Sequence, residues 1–250
     1  MWLSILWLLI VFGVMWWLRR WIEAHMQGVA YLVSGHPTVA IWIFFLIFLP
    51  GTLLHELSHW VMARLLLVRT GRITLWPQSR PGRSMWLGSV QVGRSDPVRS
   101  SLIGLAPLLT GSLVVTMIGA QLQLDTLGSL VTSGQWAQVT KALAHSAALP
   151  DFWLWVYLLF AVANRMLPSP VDRQPWKPVL IFLAILSIAI LAAGWTPRLD
   201  EQTQSVLQDV LGFWLYAFSL SAVTNLGVAL LIGIVETIAV LIRRQRISYQ

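Results

Sequence analysis

Apolar residues run through this 250-residue chain in long stretches, and most of the charge is confined to the segments between them. Six stretches stand out, at about 2–18, 38–67, 101–120, 152–167, 178–195 and 210–242. A helix needs about 20 mainly apolar residues to cross the hydrocarbon of a bilayer, and several of these windows qualify. The first is barely long enough, and the last can either tilt strongly or break near Asn225 and Gly227. The pattern predicts an all-α polytopic membrane protein, with residues 1–250 as one transmembrane domain of about six helices.

Residues 68–100 follow a different rhythm. "RITLW" and "GSVQVG" alternate apolar with polar side chains and are separated by Pro and Gly, the signature of two short strands. Arginine is dense here and Asp96 is the one acid. A β-hairpin in the cytoplasmic headgroup layer is expected after the second span, because strand backbone at greater depth needs protein or water around it. The amphipathic stretch 121–150 is expected to lie on the outer membrane surface.

Composition agrees: 57% of residues are hydrophobic and 11% charged, with mean hydropathy +0.71, too apolar for one water-soluble core. The fifteen tryptophans, many near span ends, suit interfacial belts. The absence of cysteine excludes disulfides, iron–sulfur clusters and thiolate zinc sites, so any metal must use His, Asp or Glu. The net charge of +7 suggests anionic lipid headgroups rather than nucleic acid, since the arginines cluster between apolar spans.

With six crossings, one side of the membrane carries Arg69, Arg72, Arg80, Arg83, Arg94, Arg99, Arg165, Arg173, Lys177, Arg243, Arg244 and Arg246. The other carries Arg19, Arg20, Lys141 and Arg198. Positive loops stay inside, so both termini are expected in the cytoplasm of an inner or plasma membrane. Arg19 and Arg20 follow the first stretch, with no small-residue cleavage site after them, so that stretch reads as a retained anchor.

Against this apolar background, "LPGTLLHELSHWVMARLLL" (49–67) is conspicuous. Ionisable side chains at membrane depth are costly and mark function. Residues four apart on a helix lie about 40° apart around the axis and about 6 Å along it, so His55 and His59 share a face and can hold one ion. Glu56, on the adjacent surface, can reach a water on that ion without coordinating it. This is H-E-x-x-H, two zinc ligands and a general base. A hydrogen-bonded histidine pair is the bland alternative, and it leaves Glu56 unexplained. Haem or chlorophyll ligation fits less well, because two side chains from one helical turn cannot occupy opposite faces of a macrocycle.

A hydrolytic zinc site commonly has three protein ligands. Candidates for the third are His25, His36, His145, Asp151, Asp172, Glu236 and the other acids. Asp172 follows Pro168 and Pro170 in "NRMLPSPVDRQPW", where the prolines stop the helix and extend the backbone. A plain loop aspartate paired with Arg173 explains it equally well. His145 and Asp151 belong to the outer loop and are discounted, as are His25 and His36. Glu236 is expected to face inward or snorkel toward the basic tail, and Asn225 to make an interhelical hydrogen bond.

"HELSH" in an apolar helix, then the strand region, then "GLAPLLTG" (104–111), then "NRMLPSPVD", resembles the site-2 protease family of intramembrane zinc metalloproteases. The resemblance covers residues 50–111 and 160–175. It implies His55, His59 and Asp172 on Zn2+, Glu56 as base, and Asn164 near the substrate carbonyl or its oxyanion. It also implies cleavage of membrane-protein or peptide substrates near the cytoplasmic surface. The chain departs from the family pattern at Arg173, where glycine is usual, at Ala106-Pro107, where Gly-Pro is usual, and in the spacing of Asn164 from the prolines. A divergent, minimal member is the expectation. The competing expectation is a non-proteolytic subunit that keeps the zincin-like core as a scaffold in a larger complex.

Overall fold

The computed structural model describes residues 2–77, 88–192 and 200–244. Arg80, Arg83, Arg198 and Arg246 of the charge pattern lie outside them.

The first helix, α1 (Trp2–Ser34), runs well beyond the expected stretch at 2–18. Arg19 and Glu23 do not end it because their charges are met inside the fold. Arg19 Nε is 3.1 Å from Glu23 Oε1, and Arg165 Nη1 meets the same oxygen at 3.1 Å. Arg19 and Arg165, expected on opposite membrane faces, therefore share one depth through a common carboxylate. Gly35, at φ +70°, turns the chain, and Pro37 opens α2 (Pro37–Leu65), which returns along α1. Strands β1 (Thr70–Thr74) and β2 (Ser89–Val92) pair antiparallel, Ile73 opposite Val90, as the alternation predicts.

Asp96 accepts hydrogen bonds from the Val98 and Arg99 amides at 3.0 Å and so caps α3 (Pro97–Gln121). These bonds favour the charged carboxylate and hold its pKa below the ordinary value. Short helices α4 (Leu127–Thr132) and α5 (Trp136–Ala147) lead into α6 (Phe152–Arg165), which meets α5 at a 101° bend. Then come α7 (Trp176–Ala192) and α8 (Glu201–Arg243), the latter unbroken through Asn225 and Gly227.

Among the described residues, α1, α2, α3 and α8 are long and apolar enough to cross a membrane, and the bent α5–α6 pair makes up to five spans. The described part of α7, 17 residues ending at Ala192, is a shorter apolar helix. Moreover, α1 and α8 run parallel: Trp21 lies by Gly233, His25 by Glu236, and Arg243 Nη2 donates to Val33 O at 3.1 Å. Six alternating crossings would set the first and last spans antiparallel, so the described helices do not add up to that expectation.

Helices α2, α3 and α6 form the inner bundle. Phe44, Phe45 and Phe48 of α2 pack with Leu18 and Ile22 of α1, Phe160 of α6 and Ile232 of α8. Because lipid is as apolar as these side chains, close van der Waals fit holds the helices together. Gly51 supplies it where α2 crosses α6, since a Cβ there would overlap the Ala161 carbonyl. The residue before Gly51, Pro50, leaves the Leu46 carbonyl one turn earlier without its helical donor. The Tyr157 hydroxyl lies 3.3 Å from Leu46 O and 3.1 Å from Ile47 O, and supplies a donor from α6.

Replacing Gly51 by Ala is expected to force α2 and α6 apart and lower stability by about 1–3 kcal/mol. Thermal unfolding in detergent reads this, and an unchanged midpoint contradicts the close approach.

Candidate metal centre

Two imidazoles project from the last turns of α2, and each is aimed by a bond on its far nitrogen. His55 Nδ1 lies 2.6 Å from Arg165 O, and His59 Nδ1 lies 2.8 Å from Ile103 O. A carbonyl only accepts, so each Nδ1 carries the proton and each Nε2 keeps its lone pair. The same arrangement orients metal-bound histidines and sets their tautomer.

Both carbonyls are free for a reason legible in the chain. Ile103 would normally bond the amide of residue 107 within α3, but residue 107 is proline and has no N–H. Arg165 is the last residue of α6, and the amide that would reach its carbonyl, that of Ser169, donates instead to Asp172 Oδ2 at 2.7 Å. The bond that empties the Arg165 carbonyl for His55 thus also fixes the carboxylate facing the imidazoles.

Asp172 sits between them. Its Oδ1 is 3.2 Å from His59 Nε2 and its Oδ2 is 3.6 Å from His55 Nε2, while the two Nε2 atoms are 3.1 Å apart. These ligand atoms from His55, His59 and Asp172 all lie within 4.8 Å of one another and could hold a metal ion. Two lone-pair nitrogens and a carboxylate converging on one point form a donor set that a divalent cation satisfies. The loop that brings Asp172 is braced by α3: Gly104 lies against the Asp172 carbonyl with no room for a Cβ, and Ser101 Oγ donates to Pro175 O at 2.9 Å. Arg173 turns to the Ser169 carbonyl at 3.4 Å, so the alternative Asp172–Arg173 pairing is not what the fold uses.

Glu56 is buried beside the group without contributing a ligand atom to it. The Val90 amide faces its carboxylate, and a Cβ on Gly88 would lie 3.0 Å from Glu56 Oε1, so the start of β2 covers this acid. Asn164 is fully buried and turned elsewhere. Its amide nitrogen donates to Phe160 O at 2.9 Å and to Asn225 Oδ1 at 2.8 Å, joining α6 to α8. Asn225 thus makes the interhelical bond expected of it.

The other candidates stand apart from this centre. His36 precedes α2 at its far end, His145 lies in α5, and Asp151 precedes α6. His25 and Glu236 meet at 2.5 Å between α1 and α8, with the His25 ring stacked 3.9 Å from Trp21. The residues that sequence reasoning missed are Arg19, Glu23 and Arg165. Their signal was Glu23 four residues after Arg19 within an apolar helix. No protein-family model matches the chain, and neither curated proteins nor solved structures yield a match.

Two substitutions separate ligation from folding. Asp172→Ala should reduce bound metal to background, measured by elemental analysis of the purified chain. Pro107→Ala restores an amide able to compete for Ile103 O, so it should weaken metal binding about 10-fold while thermal stability holds or rises. Full metal content in Asp172→Ala, or unchanged affinity in Pro107→Ala, contradicts this geometry.

Proposed function

We propose that the chain is an integral-membrane zinc metalloprotease of site-2 protease type that hydrolyses peptide bonds of membrane-protein substrates near the membrane surface. The observation that carries this reading is the convergence of His55, His59 and Asp172 beside the buried carboxylate of Glu56. Nitrogen and oxygen donors without thiolate suit zinc. When bound, zinc supplies Lewis acidity toward a carbonyl oxygen and acidifies water.

The chain's own residues supply the rest. His55 and His59 are held by α6 and α3, so the ligand set is fixed before substrate arrives. Glu56, next to the first ligand but outside the ligand set, takes a proton from the attacking water and returns it to the leaving amine. His55 and Asp172 are partly open while His59 and Glu56 are buried, so water can enter the site beside a shielded base. Strand β2, whose Val90 amide already faces Glu56, is positioned to align an extended segment of substrate by β-augmentation. The arginines around the hairpin, Arg69, Arg72, Arg94 and Arg99, favour the cytoplasmic leaflet for the end of the bundle that bears the site.

A second reading has its own observation. Asn164 is engaged with Asn225 rather than turned to the ligands, and β2 covers Glu56, as suits a scaffold that keeps the metal centre without turnover.

Glu56→Gln separates the two. For the protease it keeps zinc while uncleaved membrane substrates accumulate in cells, by at least about 100-fold loss of cleavage rate. Substrate processing at the normal rate in that variant supports the scaffold. For orientation, the chain's lack of cysteine makes single-cysteine labelling direct. Gln91→Cys should react with an impermeant thiol reagent only from the cytoplasmic side and Ser129→Cys only from the other. The reverse pattern overturns the assignment.

A further inference from the structure

The charged turn of α1 is joined to the metal centre through α6. Glu23 Oε1 accepts from both Arg19 Nε and Arg165 Nη1 at 3.1 Å. Arg165 Nε donates to Thr52 Oγ1 at 3.2 Å, one helical turn before Glu56, and its carbonyl aims His55. Arg19 Nη1 donates at 2.8 Å to Leu167 O, a carbonyl just past the end of α6 where the chain turns toward Asp172. One carboxylate therefore secures the side chain of the residue that orients one ligand, and the arginine that pins the loop carrying another.

The same carboxylate has an electrostatic role. Arg165 places a positive charge in the inner bundle, on the residue whose carbonyl holds His55, where like charge opposes a divalent cation. Charges act strongly in such a low-dielectric setting. Glu23 is the acid in direct contact with that guanidinium among the described ion pairs.

Resting on the reading of His55, His59 and Asp172 as metal ligands, we infer that Glu23 is a positioning residue of the metal centre, holding the end of α6 and offsetting part of the Arg165 charge so that the site accepts a dication. This gives the first apolar helix a role beyond anchoring.

The test is Zn2+ affinity of the purified full chain, by competition with a chromophoric chelator, with circular dichroism tracking helix content. Glu23→Gln, nearly isosteric, should bind Zn2+ about 10–100-fold more weakly at unchanged helix content. Glu23→Asp, which keeps the charge, should recover part of the loss. Glu23→Gln combined with Arg165→Gln removes both charges and should bind more tightly than Glu23→Gln alone. Unchanged affinity in Glu23→Gln overturns the inference while leaving the ligand assignment standing. A double variant weaker than the single one overturns the electrostatic role and leaves only packing. If the unaltered chain binds no Zn2+, the ligand assignment itself falls, and the inference with it.

Discussion

Two backbone carbonyls that have lost their helical partners hold this site together. Within a bilayer an unbonded carbonyl is costly, so each one created by the sequence must find a donor nearby. Pro107 frees Ile103 O and the end of α6 frees Arg165 O, and the donors that fill them are the Nδ1 atoms of His59 and His55. Satisfying the backbone and presenting two lone pairs to a cation are the same act. Pro50 creates a third vacancy at Leu46 O, within 3.3 Å of the Tyr157 hydroxyl, which has no part in the ligand set but fixes α6 beside α2.

This coupling explains how candidate ligands far apart in sequence converge among the described helices. α2 delivers both imidazoles, α3 and α6 orient them, and the turn after α6 brings Asp172 while the Ser169 amide braces its carboxylate. Glycines at 51 and 104 allow the approaches that put these elements in register. The charged residues of α1 complete the arrangement from outside the inner bundle. Arg19, Glu23 and Arg165 are partly buried between apolar helices, where ion pairs add little net stability over apolar packing, which leaves room for the role inferred for Glu23.

How much of this could be read from the chain depends on distance. The histidine pair was legible because His55, Glu56 and His59 fall within two helical turns, where geometry follows from spacing alone. The hairpin was legible from alternation, with β1 beginning at Thr70 rather than Arg72. Asp172 rested on a resemblance and on two prolines, because nothing local distinguishes an inward carboxylate from one paired with Arg173. Arg165 was read as loop charge since the acid that meets it, Glu23, lies in the first helix. Four described helices, or five with the bent α5–α6 pair, are long and apolar enough to cross, so six crossings are not shown: hydropathy marks apolar stretches, whereas length and pairing decide which helices cross and in which direction. The parallel contact of α1 with α8 leaves no trace in a single sequence.

The most direct measurement is zinc K-edge X-ray absorption on the purified protein. The account predicts two imidazole nitrogens at about 2.0–2.1 Å and carboxylate oxygen at about 2.0–2.2 Å, with the outer-shell imidazole scattering diminished in His55→Ala. Zinc surrounded by solvent oxygen alone, or imidazole scattering untouched by that substitution, would contradict it.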